Sequence, residues 1–492
     1  MTRSHGRARL PPVITMLKRT GRDLLVVALL TLAAVLIHGY HLGAEDQAIY
    51  LPAVKMDLDP GLYPHDAAFF LAQTGPVLFD ELIALSVRIT RLPLDVALIL
   101  WHIVSVFAML LASLRISQRC FEDRVAQWAG VALIAVLLTL PVAGTRLTIF
   151  AEYVHPRNLA MPALLFALAA TLDRRATALL WLFVCALIHV PTAVVGAGHL
   201  LFQAWQAPAL QELSSVQLLL ISPEQEAARE VLRTRAYHYP LKWKWYELLG
   251  AVAPPLILAW FARLGRRNGL PMLAHVSGRL AISCSLGVAA GFLFNAVPAF
   301  EPLVRTQPMR ALHLPYVLLF LLGGGLLGQH VLRNRLRWLL LFLPLAAAMC
   351  VAQLRIYPAS PHIEWPGAPA RNAWVQAFDW IRQNTPRDAL FALDPRHMER
   401  PGEDFHGFRA LAERSMMADW VKDRSVAALF PQLAYTWREQ MRDLDKWPEF
   451  RREDFLRLRA KYGVTWVVLE QPGGPALPCP FANERVRVCR VE

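Results

Sequence analysis

The sequence predicts an α-helical integral membrane protein of about nine transmembrane helices, with an extracytoplasmic α/β domain at its C-terminus. Three observations predict it. Only 18% of the 492 residues are charged and 55% are hydrophobic, whereas a soluble globular chain is about one quarter charged. The apolar residues are gathered into runs of roughly 20, the length that crosses a bilayer core of about 30 Å. After about residue 357 the runs give way to a mixed, turn-rich sequence with amphipathic periodicity. Inside lipid, backbone groups must be satisfied within the segment, so runs of this length read as helices.

Residues 1–22 form a basic, cytoplasmic N-terminus with Arg3, Arg7, Arg9, Lys18, Arg19 and Arg22. The apolar run after it is long enough to stay as an anchor, and no small-residue cleavage site follows. A transmembrane domain occupies 23–356, with spans expected at 23–40, 93–114, 126–144, 158–172, 177–201, 247–264, 277–297, 313–332 and 337–355. Alternate loops hold Arg115, Arg119 and Arg124; Arg174 and Arg175; Arg263, Arg266 and Arg267; and Arg333, Arg335 and Arg337. All fall on the side of the N-terminus, which the positive-inside rule makes the cytoplasmic side of an inner membrane. The formal charge of +13 is then a topology signal, and no nucleic-acid partner is expected.

The outer face carries the elaborate loops, where function is sought. The first, 41–92, is long and acidic; its segment 76–91, with Asp80, Glu81 and Arg88, reads as an amphipathic helix lying in the interface. The others are 145–157, 202–246 (with helical signals around 223–235) and 298–312. A Pro- and Ala-rich linker, 357–370, leads to the periplasmic α/β domain, 371–492. There a helix over 371–383 places Trp374, Phe378 and Ile381 on one face. Strands are expected at 389–393, 464–469 and 486–491, and a helix over 452–462 ends at Gly463. Cys185, Cys284 and Cys350 read as packing residues and Cys120 lies in a basic loop, whereas Cys479 and Cys489 suit a disulfide closing a short hairpin.

Chemistry concentrates in three outer stretches. Glu45 and Asp46 follow the first span, with Tyr50, Asp57, Asp59, Tyr63, His65 and Asp66 beyond them. Carboxylates at this boundary accept a proton from a hydroxyl or hold a divalent cation; the competing reading is a solvated loop with capping acids. Glu152, His155 and Arg157 join two spans, and a guanidinium there matches phosphate geometry, against ordinary snorkelling to lipid. Arg305, Arg310 and His313 stand at the entrance to another span and suit an anionic headgroup or simple anchoring. His189, before Pro191, is an intramembrane histidine, either functional or a kink residue. Trp243, Trp245 and Tyr246 read as an interfacial belt. The sequence has no P-loop, GxSxG, HExxH or kinase set, so ATP-driven transport and soluble hydrolase chemistry have no support.

These features together resemble the GT-C superfamily of membrane glycosyltransferases. Glu45-Asp46 stand where that family has its catalytic acid, Glu152 stands near its second acid, and Arg157 and Arg310 match arginines that hold the donor phosphate. The resemblance implies a polyprenyl-phosphate-linked sugar as donor and membrane lipid as partner. A divalent cation beside the phosphate is compatible with it, the metal itself being unassigned. It extends the phosphate set to His155 and Arg305 and leaves Tyr50, His65 and Asp66 as further outer-loop candidates. The stretch from Glu45 through Tyr50-Leu51-Pro52 to Tyr63-Pro64-His65-Asp66, with WIRQNTPRDALF from Trp380, also resembles a group of uncharacterised bacterial membrane proteins. The rival readings are a lipid or small-molecule transporter or flippase, and a non-catalytic scaffold.

Overall fold

Helix length and apolar composition decide which segments can cross a membrane. The computed structural model of the protein describes residues 12–204 and 225–492; the basic residues Arg3, Arg7 and Arg9, and 205–224 of the expected third outer loop, lie outside the described residues. The helices of the first part are α1 (Pro12–His38), α2 (Gln47–Leu58), α3 (Ala68–Thr74), α4 (Phe79–Thr90), α5 (Leu94–Cys120), α6 (Arg124–Val136), α7 (Pro156–Leu172), α8 (Thr177–Ile188), α9 (Val190–Ala204), α10 (Gln225–Arg233), α11 (Trp245–Arg267), α12 (Pro271–Ala296), α13 (His313–His330) and α14 (Arg335–Ile356). Among the described residues six are long and apolar enough to span: α1, α5, α11, α12, α13 with the turns from Pro308, and α14. The chain is therefore a membrane protein. The expected spans at 126–144, 158–172 and 177–201 correspond to shorter helices, α6 to α9.

The expected span over 177–201 is broken, for a local reason. His189 adopts an extended conformation between α8 and α9 (φ −156°, ψ 94°). Pro191 has no N–H to donate to the carbonyl of Leu187, one helical turn back. That carbonyl accepts instead from the Leu78 amide at 2.8 Å, so the break between α8 and α9 anchors the long loop between α1 and α5. The amphipathic helix expected over 76–91 is α4 (Phe79–Thr90), and it meets the preceding α3 at 95°. Leu85 and Ile89 point outward from α4.

Small residues set the closest helix contact. A Cβ on Gly130 of α6 would lie 2.4 Å from the Leu321 carbonyl oxygen of α13, and one on Gly328 would lie 2.7 Å from the Cα of Ala126. Glycine at these places lets the two backbones touch, the usual device where lipid removes the hydrophobic drive for association.

The C-terminal part contains α15 (Ala373–Asn384), α16 (Phe408–Ala412), α17 (Asp423–Leu429), α18 (Pro431–Asp443) and α19 (Arg452–Tyr462). They surround a five-stranded sheet, β3 (Leu390–Leu393), β4 (Ser415–Met416), β5 (Trp466–Glu470), β6 (Phe481–Ala482) and β7 (Val486–Arg490), in the order β4-β3-β5-β7-β6. β1 and β2 are a two-residue hairpin pair, Pro141–Val142 and Leu147–Thr148, before α7. β3 runs parallel to β4 and β5, and β7 is antiparallel to β5. Asn372 caps α15 by accepting from the amides of Trp374 and Val375. The helix then lays Trp374, Phe378 and Ile381 on the sheet with Phe391 and Val488. Phe455 and Leu458 of α19 join the Val467 and Cys489 side, and Gly463 ends that helix in the left-handed region (φ 82°). Cys479 and Cys489 are joined by a disulfide.

Candidate functional site

The short crossing from α1 to α2 is where the membrane part and the C-terminal part meet. The Glu45 amide donates to the Phe405 carbonyl at 2.8 Å. Gly407 lies so close that a Cβ there would sit 2.4 Å from that of Ala48. Glu45 takes a left-handed backbone (φ 50°), and Asp46 occupies the N-cap of α2. Both carboxylates are about one-third exposed.

Lys422 reaches them from the start of α17. Its buried Nζ donates to Glu45 Oε2 at 2.5 Å and to Asp46 Oδ1 at 2.9 Å. The ammonium lies between the two carboxylates that the sequence offered either as a proton acceptor or as ligands for a divalent cation. The second Asp46 oxygen faces His155 Nε2 at 3.3 Å. His155 caps α7, its Nδ1 accepting the Arg157 amide at 2.9 Å. The proton is thereby fixed on Nε2 and donated to Asp46. Burial, and then Arg157, bring His155 down to about 4, so this donor is a neutral imidazole at neutral pH. Burial opposes the charge on Asp46, but Lys422 and His155 hold its carboxyl well below the usual range. Burial also opposes the charge on Lys422, and the two carboxylates hold it above its ordinary value.

Lys422 is itself anchored. Asp419 accepts its amide at 2.5 Å, and the neighbouring Asp423 carboxylate accepts both Nη groups of Arg409 at 2.9 Å. Arg409 Nε bonds Asp66 of the loop between α2 and α3. One buried arginine thus ties the loop to the helix that presents the lysine.

Beside Asp46 stand two guanidinium groups without partners. Arg157 is 6% exposed, and Nε of both Arg157 and Arg310 is buried without a hydrogen bond. Neither forms an ion pair among the described residues, although Asp46, Tyr50 and Tyr237 lie within electrostatic reach of Arg310. Buried cations are normally paired. His189 adds a donor nearby: its Nδ1 accepts the Thr192 amide at 3.2 Å, which leaves the proton on Nε2. Its ring lies 6.1 Å from that of His155. A small cavity here is lined by Arg157, Arg310, Met161, Leu164, Val195 and Leu314, cationic at one end and apolar along its walls. Tyr50 closes the site, edge-on to His155 at 4.9 Å and held by Gln73 at 2.7 Å.

The other sequence candidates lie apart. Glu152 accepts from the Tyr357 hydroxyl at 2.5 Å, and burial raises its carboxyl; it is a strut under the linker. Asp66 belongs to the Arg409 pair. His65 contacts the Asp388 carbonyl at 2.9 Å. Arg305 has Arg229 and Tyr239 as its charged and titratable neighbours. A larger cavity of about 460 Å³ between α2, the linker and α15 contains neither Asp46 nor the two unpartnered arginines.

Residues 372–444 match a domain of unknown function, DUF6798. The matched stretch contains Arg409, Asp419, Lys422 and Asp423, the residues that carry the C-terminal part into the site. No curated protein matches the chain.

The docking of the two parts is expected to depend on pH. Glu364 of the linker bonds His41 Nδ1 and His406 Nε2, each at 3.0 Å. Against burial, Glu364 raises His406 from 6.5 to about 9. Burial likewise opposes the charge on Glu364, but His406 and His41 lower it from 4.5 to about 2. A raised histidine contributes stability below its unfolded value and loses it as pH rises through its folded one; a depressed carboxyl contributes above its unfolded value and loses it on the acid side. Thermal stability of the whole chain is expected to be greatest between about pH 4.5 and 6.5 and to fall as pH rises through about 9. His406→Gln is expected to flatten that alkaline limb in melting curves taken across the range.

Proposed function

We propose that the protein is a membrane glycosyltransferase of GT-C type, taking sugar from a polyprenyl-phosphate carrier at the outer face of the cytoplasmic membrane. In this reading α6, α7 and the α8–α9 pair complete nine crossings, with the N-terminus inside and the C-terminal part outside. The observation that carries the proposal is a pair of arginines beside the Asp46 carboxylate, Arg157 buried and Arg310 half-buried, whose buried Nε atoms have no partner. Two such cations call for an anion, and the cavity between them, about 20 Å³, has apolar neighbours in Met161, Leu164, Val195 and Leu314. The start of α7 adds its positive helix end.

The acceptor hydroxyl attacks the anomeric carbon, its proton passes to Asp46, and the bond from that carbon to the phosphate oxygen breaks. The carrier leaves as a phosphate held by Arg157 and Arg310, with the His189 N–H close by. Fixed charges aimed at a developing anion are typically worth several kcal/mol of barrier. Lys422 and His155 keep Asp46 ionised and oriented. The test is transfer of radiolabelled sugar from a polyprenyl-phosphate donor by the doubly substituted Glu45→Gln, Asp46→Asn protein. Loss of transfer with donor binding retained supports the reading, and undiminished transfer refutes it.

One observation favours a transporter instead: the broken helix at His189, a device that transporters use to expose backbone at mid-membrane. A transporter retains lipid translocation in the same doubly substituted protein.

A further inference from the structure

The far end of α2 presents a second group of carboxylates, distinct from the site at its start. Asp57, in the last turn, and Asp80 and Glu81, in the first turn of α4, each bring a carboxylate oxygen within 4.8 Å of the others. Three like charges at this separation repel. No lysine, arginine or histidine forms an ion pair with any of them among the described residues. Arg88, the cation beside them, donates to the main-chain carbonyl of Asp57. Asp80 is only 4% exposed, and its Oδ1 is buried without a partner, as is Oδ2 of Asp57. A buried, unpartnered carboxylate oxygen in a cluster of carboxylates calls for a positive charge; Arg88 faces Asp57, but no cation forms an ion pair with Asp80 or Glu81 among the described residues.

We propose that Asp57, Asp80 and Glu81 bind one calcium-type divalent cation, which ties the end of α2 to the start of α4. The ligand set is all oxygen, which selects a hard cation and disfavours zinc. Calcium–oxygen distances of about 2.3–2.6 Å allow two ligand oxygens of one ion to stand up to about 4.6–5.2 Å apart, and the three carboxylate oxygens lie inside that limit. Magnesium demands about 2.0–2.1 Å and octahedral geometry, a tighter arrangement. Glu81 is exposed, so water completes the coordination on that side. The ion would fix the end of α2 opposite Asp46, and the proposal stands whether or not the chain is a glycosyltransferase.

The test is the melting temperature of the full-length protein in detergent, stripped with EDTA and then titrated with calcium chloride, with calorimetry for binding. Wild type is expected to rise by several degrees, because a ligand that binds only the folded state stabilises it. Asp57→Asn and Asp80→Asn are expected to lose that rise. In EDTA alone they should melt no lower than wild type, because each removes a repelling charge. A wild-type melt unmoved by calcium, or a calcium rise kept by both variants, overturns the proposal. So does a larger response to magnesium than to calcium. A melt that climbs on acidification in EDTA and ignores both metals also overturns it, assigning the cluster to a proton shared by Asp80 and Glu81.

Discussion

Arg157→Ala and Arg310→Ala are each expected to lower sugar transfer by ~10²–10³-fold, the usual loss when one fixed donor to a developing anion is removed. Their effect on folding should run the other way. Arg157 is buried and Arg310 half-buried, each has a buried, unpartnered Nε, and neither is in an ion pair among the described residues. Removing an unpaired buried charge relieves a desolvation cost. Both variants should therefore melt at or above the wild-type temperature in the absence of lipid, the trade of stability for activity expected of a binding site. Arg409 supplies the contrast. It too is buried, but it is paired with Asp66 and Asp423, and truncating one member of such a set typically costs about 3–5 kcal/mol. Side-by-side melts and transfer rates of the three variants separate a site that waits for an anion from a structural ion pair. If Arg157→Ala and Arg310→Ala melted far below wild type, the two arginines would be structural.

Lys422→Met is expected to move the acid limb of the transfer pH profile upward by about one unit or more, at roughly 1.4 kcal/mol per unit. With the lysine gone, Asp46 loses its largest favourable charge and becomes easier to protonate. The unfavourable pairing with Glu45 is then no longer screened by a cation between them. A smaller fraction of the protein then holds Asp46 ionised at a given acid pH. A lysine that only braced the two parts of the protein would lower the amount of active protein without moving the limb. Rescue by Lys422→Arg, which keeps a cation in place, distinguishes the two roles further.

Much of this site is legible in the sequence, and the missing part has a plain physical cause. Glu45, Asp46, His155, Arg157 and Arg310 all announce themselves as charges at the ends of apolar runs on one inferred face. Topology alone therefore collects them. Lys422 does not, because it lies in a polar stretch of the C-terminal part, 377 residues from Glu45, and an exposed lysine looks the same in sequence as a buried one. Glu152 is legible only in part, for the complementary reason. Its position suits a second acid, but its partner, Tyr357, is 205 residues away in the linker. The break at His189 is half legible: Pro191 forecasts a disturbed helix, whereas the use of the freed Leu187 carbonyl by Leu78 depends on a contact that no local pattern encodes. In the C-terminal part, periodicity places the face of α15 and the buried strands β3 and β5, since these depend on neighbours along the chain.

The central claim is that Arg157 and Arg310 form the seat of a lipid-linked phosphate. Native mass spectrometry of gently solubilised protein tests it most directly. The account predicts that wild type retains a polyprenyl-phosphate lipid, and that Arg157→Ala and Arg310→Ala release it while Asp46→Asn keeps it. Bulk phospholipid alone, held equally by all four proteins, would contradict the account.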